Sequence, residues 1–162
     1  MLKFLTRQTR LPTAAICMKQ DFVIGKVANL ACFDKQSIKD AVAATKTMNF
    51  RTYATFETKD CKTNDISSFI EVSTICGTID ELIVDHTGDV YVSIALYNSG
   101  AGLRLKQLLT ANDELRRHLV VVADGYCTDN IIQDIIGIRV KFDFEQLRLD
   151  TNTTISEQVN NE

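Results

Sequence analysis

The sequence predicts a strand-rich, mixed α+β domain with one main helix pair. Three observations lead there. Several stretches alternate apolar and polar side chains, as half-buried antiparallel strands do. One long stretch, Leu103–His118, repeats its leucines at helical spacing. One short run, Leu119–Ala123 (LVVVA), is apolar throughout, as a strand covered on both faces would be.

The elements follow in order. Phe22–Phe33 (FVIGKVANLACF) reads as a strand, with Gly25 at a bulge. Gln36–Thr47 reads as a short helix that turns Ile38, Ala41, Val42 and Thr45 to one side. In Asn49–Thr58, Phe50, Ala54 and Phe56 face one way, and Arg51, Tyr53 and Glu57 the other. Ser68–Cys76 places Ile70, Val72 and Cys76 opposite Phe69, Glu71 and Ser73. Asp89–Asn98 places Val90, Val92, Ile94 and Leu96 inside and Tyr91, Ser93, Ala95 and Tyr97 outside. Between these two strands the pattern is ambiguous. Thr78 and Glu81 can form a capping box for one helical turn, or Leu82–Val84 can continue a strand into a turn at Asp85–Gly88.

In the Leu103–His118 helix, Leu105, Leu108, Leu109, Asn112 and Leu115 share a face, and Thr110 with Asp113 can restart the helix after a break. Thr128 caps an expected short helix carrying Ile131, Ile132, Ile135 and Ile136, with Gly137 as its stop. Ile138–Glu145 alternates cleanly, with Ile138, Val140, Phe142 and Phe144 inward. The expected core therefore holds Val23, Val27, Phe50, Phe56, Ile70, Val72, Val90, Val92, Ile94, Leu108, Val121, Phe142 and Phe144.

The expected organisation is a basic N-terminal arm (1–20), one globular domain (21–149) and a polar C-terminal tail (150–162). The arm carries Lys3, Arg7, Arg10 and Lys19 and no acid. It reads as an arm or first strand, or as a mitochondrial transit peptide. No apolar run approaches the roughly 20 residues of a membrane span.

The net charge is -3, which does not suggest a binder of polyanions. The charge is unevenly spread: residues 64–98 hold Asp65, Glu71, Asp80, Glu81, Asp85 and Asp89 and no Lys or Arg. Five cysteines, Cys17, Cys32, Cys61, Cys76 and Cys127, form no C-x-x-C motif. An odd number in apolar surroundings suggests free thiols in an intracellular reducing compartment, the cytoplasm, or the mitochondrial matrix if the arm is a transit peptide. Cys32 and Cys76 read as small buried hydrophobes. With only His86 and His118, no metal-ligand spacing occurs, and no cofactor motif is present.

Three groupings bear on function. Arg51 and Tyr53, Phe69, and Tyr91 and Tyr97 fall on the outward faces of strands that can be neighbours, with Lys141 at an edge. Such a surface can stack the bases of a single strand; the competing reading is that the main helix covers it as core. Ser99-Gly100-Ala101-Gly102 precedes the helix, but no Lys-Ser/Thr follows, so it reads as a tight turn and not a P-loop. Asp124 ends LVVVA and Cys127 follows. An acid at a strand end with Cys127 as nucleophile and His118 as base would be an enzyme's arrangement, whereas Asp-Gly after a strand is ordinarily a turn. No catalytic residue is assigned.

The succession FVIGKVANLACF, NFRTYATFET and FIEVSTICGTIDELIVDHTGDVYVSIAL, residues 22–98, resembles the strand order of single-stranded DNA-binding proteins with an OB fold. Phe69 stands where that family tends to have Trp. Cys76-Gly77 stands where it tends to have Phe-Gly, and Gly88 precedes the next strand. The helix at Leu103–His118, the LVVVA strand and the lack of a Gly-rich acidic tail depart from it. The resemblance implies an OB-like barrel. It implies a non-enzymatic module that binds single-stranded DNA or RNA within an assembly through Arg51, Tyr53, Phe69, Tyr91, Tyr97 and Lys141. The alternative is a protein–protein interaction or structural subunit of a phage or organelle complex, binding other subunits or its own copies and no nucleic acid.

Overall fold

A computed structural model describes residues 2–4, 16–19, 21–47, 50–57 and 74–142. Eight strands form one mixed sheet: β1 (Leu2–Phe4), β2 (Ile16–Lys19), β3 (Phe22–Lys26), β4 (Tyr53–Glu57), β5 (Ile75–Val84), β6 (Val90–Leu96), β7 (Leu119–Thr128) and β8 (Ile131–Phe142). Their order is β1-β7-β8-β4-β5-β6-β3-β2. Every pairing is antiparallel except β4 with β8. The helices among the described residues are α1 (Lys35–Ala44), α2 (Gly100–Ala111) and the short α3 (Asp113–Arg116). The fold is α+β with a barrel-like sheet.

The sheet curls until its far strands meet. Val27, just past β3, makes a parallel bridge to Val121 of β7. A 3-10 turn follows at Ala28–Leu30, and it carries Asn29 against the edge of β7. Asn29 Nδ2 donates to the Ala123 carbonyl at 2.9 Å, and the Ala123 N–H donates to Asn29 Oδ1 at 2.9 Å. One carboxamide thus supplies the donor and acceptor that a further strand would have offered. Asn29 is fully buried. This turn also ends the first strand at Lys26, well short of Phe33, and β3 pairs without a register shift at Gly25.

Inside the curl lies one continuous apolar core. Val23, Val27, Phe56, Val90, Val92, Ile94, Val121, Ile138 and Val140 come from the sheet; Ile38, Ala41 and Val42 from α1; Ala101, Leu105 and Leu109 from α2. Both main helices therefore pack on the inner face. Phe50, Leu108 and Phe142 are only partly buried against this core. The edge of Phe142 meets Phe56, with ring centroids 5.8 Å apart. Ile70, Val72 and Phe144 lie outside the described residues.

Two expectations fail in an informative way. The segment 131–136 is not a helix but the start of β8. Its isoleucines at 131, 132, 135 and 136 imitate helical spacing because two bulges shift the strand's alternation. Cys127 pairs with Ile132 and Tyr126 with Asp134, leaving Gln133 extra; Gly125 pairs with Ile135 and Asp124 with Gly137, leaving Ile136 extra. Ile132, Ile135, Ile138 and Val140 still reach the core. Bulges bend a strand, which helps this long hairpin follow the curl. Its two-residue turn puts Asp129 at φ 54°, a conformation that Asp tolerates. The second failure is Cys32, which is exposed and not core; Cys76 and Cys127 are buried.

The ambiguous stretch 78–84 is strand, because β5 runs unbroken to Val84 opposite Val90. The helix break falls at Asn112, whose Oδ1 accepts from the Glu114 N–H at 2.9 Å and so caps α3. Gly102 fits where the start of α2 touches the sheet: a Cβ there would come within 2.4 Å of the Cys76 carbonyl oxygen and 2.6 Å of that of Tyr97. Gly102 thus serves close packing, whereas Gly100 has open space around it and sits at φ 57°.

Candidate functional site

The outer face of the sheet carries every described residue of the expected binding surface. Register sets its layout. Lys26, Tyr91 and Ile83 form one row across β3, β6 and β5; Ile24, Ser93 and Glu81 form the next; Phe22, Ala95, Thr78 and Tyr53 form a third, which reaches β4. Tyr97 follows β6, and its hydroxyl lies 2.9 Å from Thr78 Oγ1. The main helix, being inside, leaves these rings uncovered: Tyr97 is 41% exposed, and Tyr53 and Tyr91 are half-buried. Phe69 lies outside the described residues.

Arg51 and Lys141 stand further along the same face, on the β4–β8–β7 side. Arg51 is not a free cation. Its Nη2 donates to Asp124 Oδ2 at 2.8 Å, and Arg139 Nε donates to Asp124 Oδ1 at 2.8 Å. Arg139 Nη1 also donates to Glu57 Oε1. Two arginines and two carboxylates therefore form one chain that joins β4, β7 and β8. The Asp124 side chain is 3% exposed and both arginines under 20%. A buried carboxylate needs such compensation, because an unpaired charge there would be costly. The Arg51 guanidinium lies over Gly137, where a Cβ would come within 2.3 Å of its Nη2. Lys141, half-buried, is the register partner of Glu57.

Sequence reasoning placed Asp124 in a turn at the end of a strand. It lies inside β7, which continues for four more residues to Thr128. Arg139 was visible only as an outward strand position, and Glu57 likewise. Nothing in local spacing ties residues 57, 124 and 139 together; only the β4–β8 and β7–β8 pairings do.

The arrangement of Cys127 with His118 is not formed. They flank the two ends of β7, about 30 Å apart at roughly 3.3 Å per strand residue. The Cys76 thiol is pushed up to about 12 by burial, so it is not a nucleophile near neutral pH. Ser37 Oγ is taken by backbone: it donates to the Asp34 carbonyl at 2.7 Å and accepts from the Ile132 N–H at 3.1 Å.

At the end of the β5–β6 hairpin, Asp85 organises the turn. Its Oδ1 accepts from the Thr87 hydroxyl, the Thr87 N–H and the Asp89 N–H, at 2.6, 2.9 and 3.0 Å. These bonds hold the carboxyl below its ordinary range, with the Thr87 hydroxyl as the largest cause. Nearby, Lys26 pairs with Asp89 at 3.4 Å. Among the described residues no helix is long and apolar enough to cross a membrane.

The chain matches no protein-family model and no curated protein. Among solved structures it is similar in fold to the bacteriophage T4 capsid assembly protease gp21, with a TM-score of 0.54 over 88% of this chain and 96% of that one, at 11% sequence identity.

Proposed function

We propose that this chain is a non-enzymatic binding module of a larger assembly, and that it docks another protein through the outer face of β3, β6 and β5. One observation carries this reading: two large apolar side chains stand exposed there, Ile24 at 36% and Ile83 at 45%, on either side of Tyr91 and bordered by Lys26, Ser93 and Glu81. Clusters of exposed apolar residues mark interaction surfaces, whereas single ones need no explanation. Its likeness in fold to a phage capsid assembly protease agrees with service in an assembly.

A second reading, binding of single-stranded DNA or RNA in the manner of OB-fold proteins, draws on Tyr53, Tyr91 and Tyr97 sharing that face. It has less electrostatic support. Arg51 and Arg139 spend their charge on Asp124 and Glu57, Lys26 is paired with Asp89, and Glu81 stands among the strands. Strand binding ordinarily requires uncompensated positive charge.

A photo-crosslinking amino acid at position 83, introduced in the cells that make the protein, separates the two. The expected adduct is a protein; a nucleic-acid adduct would overturn the proposal. Anisotropy with labelled single-stranded DNA and RNA across a salt series is expected to stay flat, while a steep salt slope favours the second reading. In that case Tyr91→Ala and Tyr97→Ala should each weaken binding by about 1–3 kcal/mol.

A further inference from the structure

We infer that the partner on this face is a second copy of the chain, paired about a twofold axis. The inference rests on the docking reading above and adds the identity of the occupant. Its basis is how the two exposed rows are laid out. Lys26–Tyr91–Ile83 runs beside Ile24–Ser93–Glu81, with β6 between β3 and β5. Isoleucines occupy the two ends of one diagonal, and opposite charges the two ends of the other.

A twofold axis along the isoleucine diagonal makes this pattern complementary to itself. Ile24 then meets the partner's Ile24, and Ile83 the partner's Ile83. Lys26 meets the partner's Glu81, and Glu81 the partner's Lys26. An isologous interface requires this relation, that residue i contacts j while j contacts i. A face shaped for an unrelated protein is under no such constraint. Strands of the two copies would cross steeply, as in orthogonally packed sheets. Lys26 can keep Asp89 while it takes on a second acceptor, because an ammonium group has three donors. Glu81 is exposed: it follows the register shift of β5 between Ile79 and Glu81, which returns it to the outer face beside Ile83.

The patch is small against the roughly 1,600 Å² of a standard interface, so the association is weak and concentration-dependent. Sedimentation of the full chain over a wide concentration range is expected to show a monomer–dimer equilibrium. Ile83→Glu should weaken it by about tenfold or more, since it buries two carboxylates against each other at the axis. Lys26→Glu and Glu81→Lys should each weaken it, and the two together should restore it, with circular dichroism reporting the fold of every variant. A chain that is monomeric throughout, a dimer indifferent to Ile83→Glu, or a charge swap no better than its singles would overturn the inference. If the purified chain is monomeric while position 83 crosslinks to a different protein in cells, this inference fails and the docking proposal stands. A nucleic-acid adduct there defeats both.

Discussion

Arg51 and Asp124 are 73 residues apart in the chain and meet at 2.8 Å across the outer face of the sheet. Arg139 completes the compensation from the other carboxylate oxygen. Arg51 lies just ahead of β4, which is not a neighbour of β7; β8 stands between the two strands, and its Gly137 leaves the room. An arginine that the sequence placed on the expected nucleic-acid-binding surface is thereby part of the scaffold.

Replacing Asp124 with Asn keeps the shape and removes the charge. Arg51 then loses its anion while Arg139 keeps only Glu57, and loss of one partner of a buried pair typically costs about 3–5 kcal/mol. Urea unfolding should show that loss. Gly137→Ala should reproduce part of it by displacing the Arg51 guanidinium, and should be non-additive with Arg51→Ala by about 0.5–3 kcal/mol in a double-mutant cycle.

Asn29→Ala should loosen the closure of the curl. It orphans the N–H and the carbonyl of Ala123, each worth about 1–3 kcal/mol when buried and unsatisfied. Hydrogen exchange at Ala123 should accelerate well before global unfolding.

Thiol reactivity should follow burial. In the native protein at pH 8, site-resolved mass spectrometry is expected to find Cys32 alkylated early and Cys76 protected, because the thiolate of Cys76 forms only near about 12. In denaturant without reductant, all five cysteines should react. A count of one or three would mean a disulfide.

Asp85 should titrate below an ordinary aspartate in a carbon-detected NMR series. Its folded pKa is depressed, so its contribution to stability is present above the unfolded value and is lost as pH falls through the folded one. Thr87→Val removes the largest cause and should bring the titration back toward the ordinary range.

β4 and β6 could be read from the chain because each alternates locally, β7 because its start is apolar throughout, and α1 and α2 because their apolar residues recur at helical spacing. Val90–Leu96 and Leu119–Ala123 lie as the pattern predicts. The misreadings arose where local pattern and pairing diverge. Gln133 and Ile136 are extra residues opposite β7, so alternation across residues 131–138 slips twice and takes on a helical period. Likewise Asp124-Gly125 has turn composition, yet pairing to Gly137 and Ile135 keeps it in a strand.

By itself the sequence determined the α+β class, the inner faces of the regular strands and the outward placement of Tyr53, Tyr91 and Tyr97, since side-chain direction in a regular strand follows from a period of two. Tertiary structure alone decided which strands are neighbours, and so which outward residues meet. Parallel pairing of β4 with β8 brings Glu57 to Arg139; the curl brings Asn29 to Ala123; placing β6 between β3 and β5 brings Ile24 and Ile83 to either side of Tyr91. Such contacts join residues far apart in the chain, and no local period encodes them.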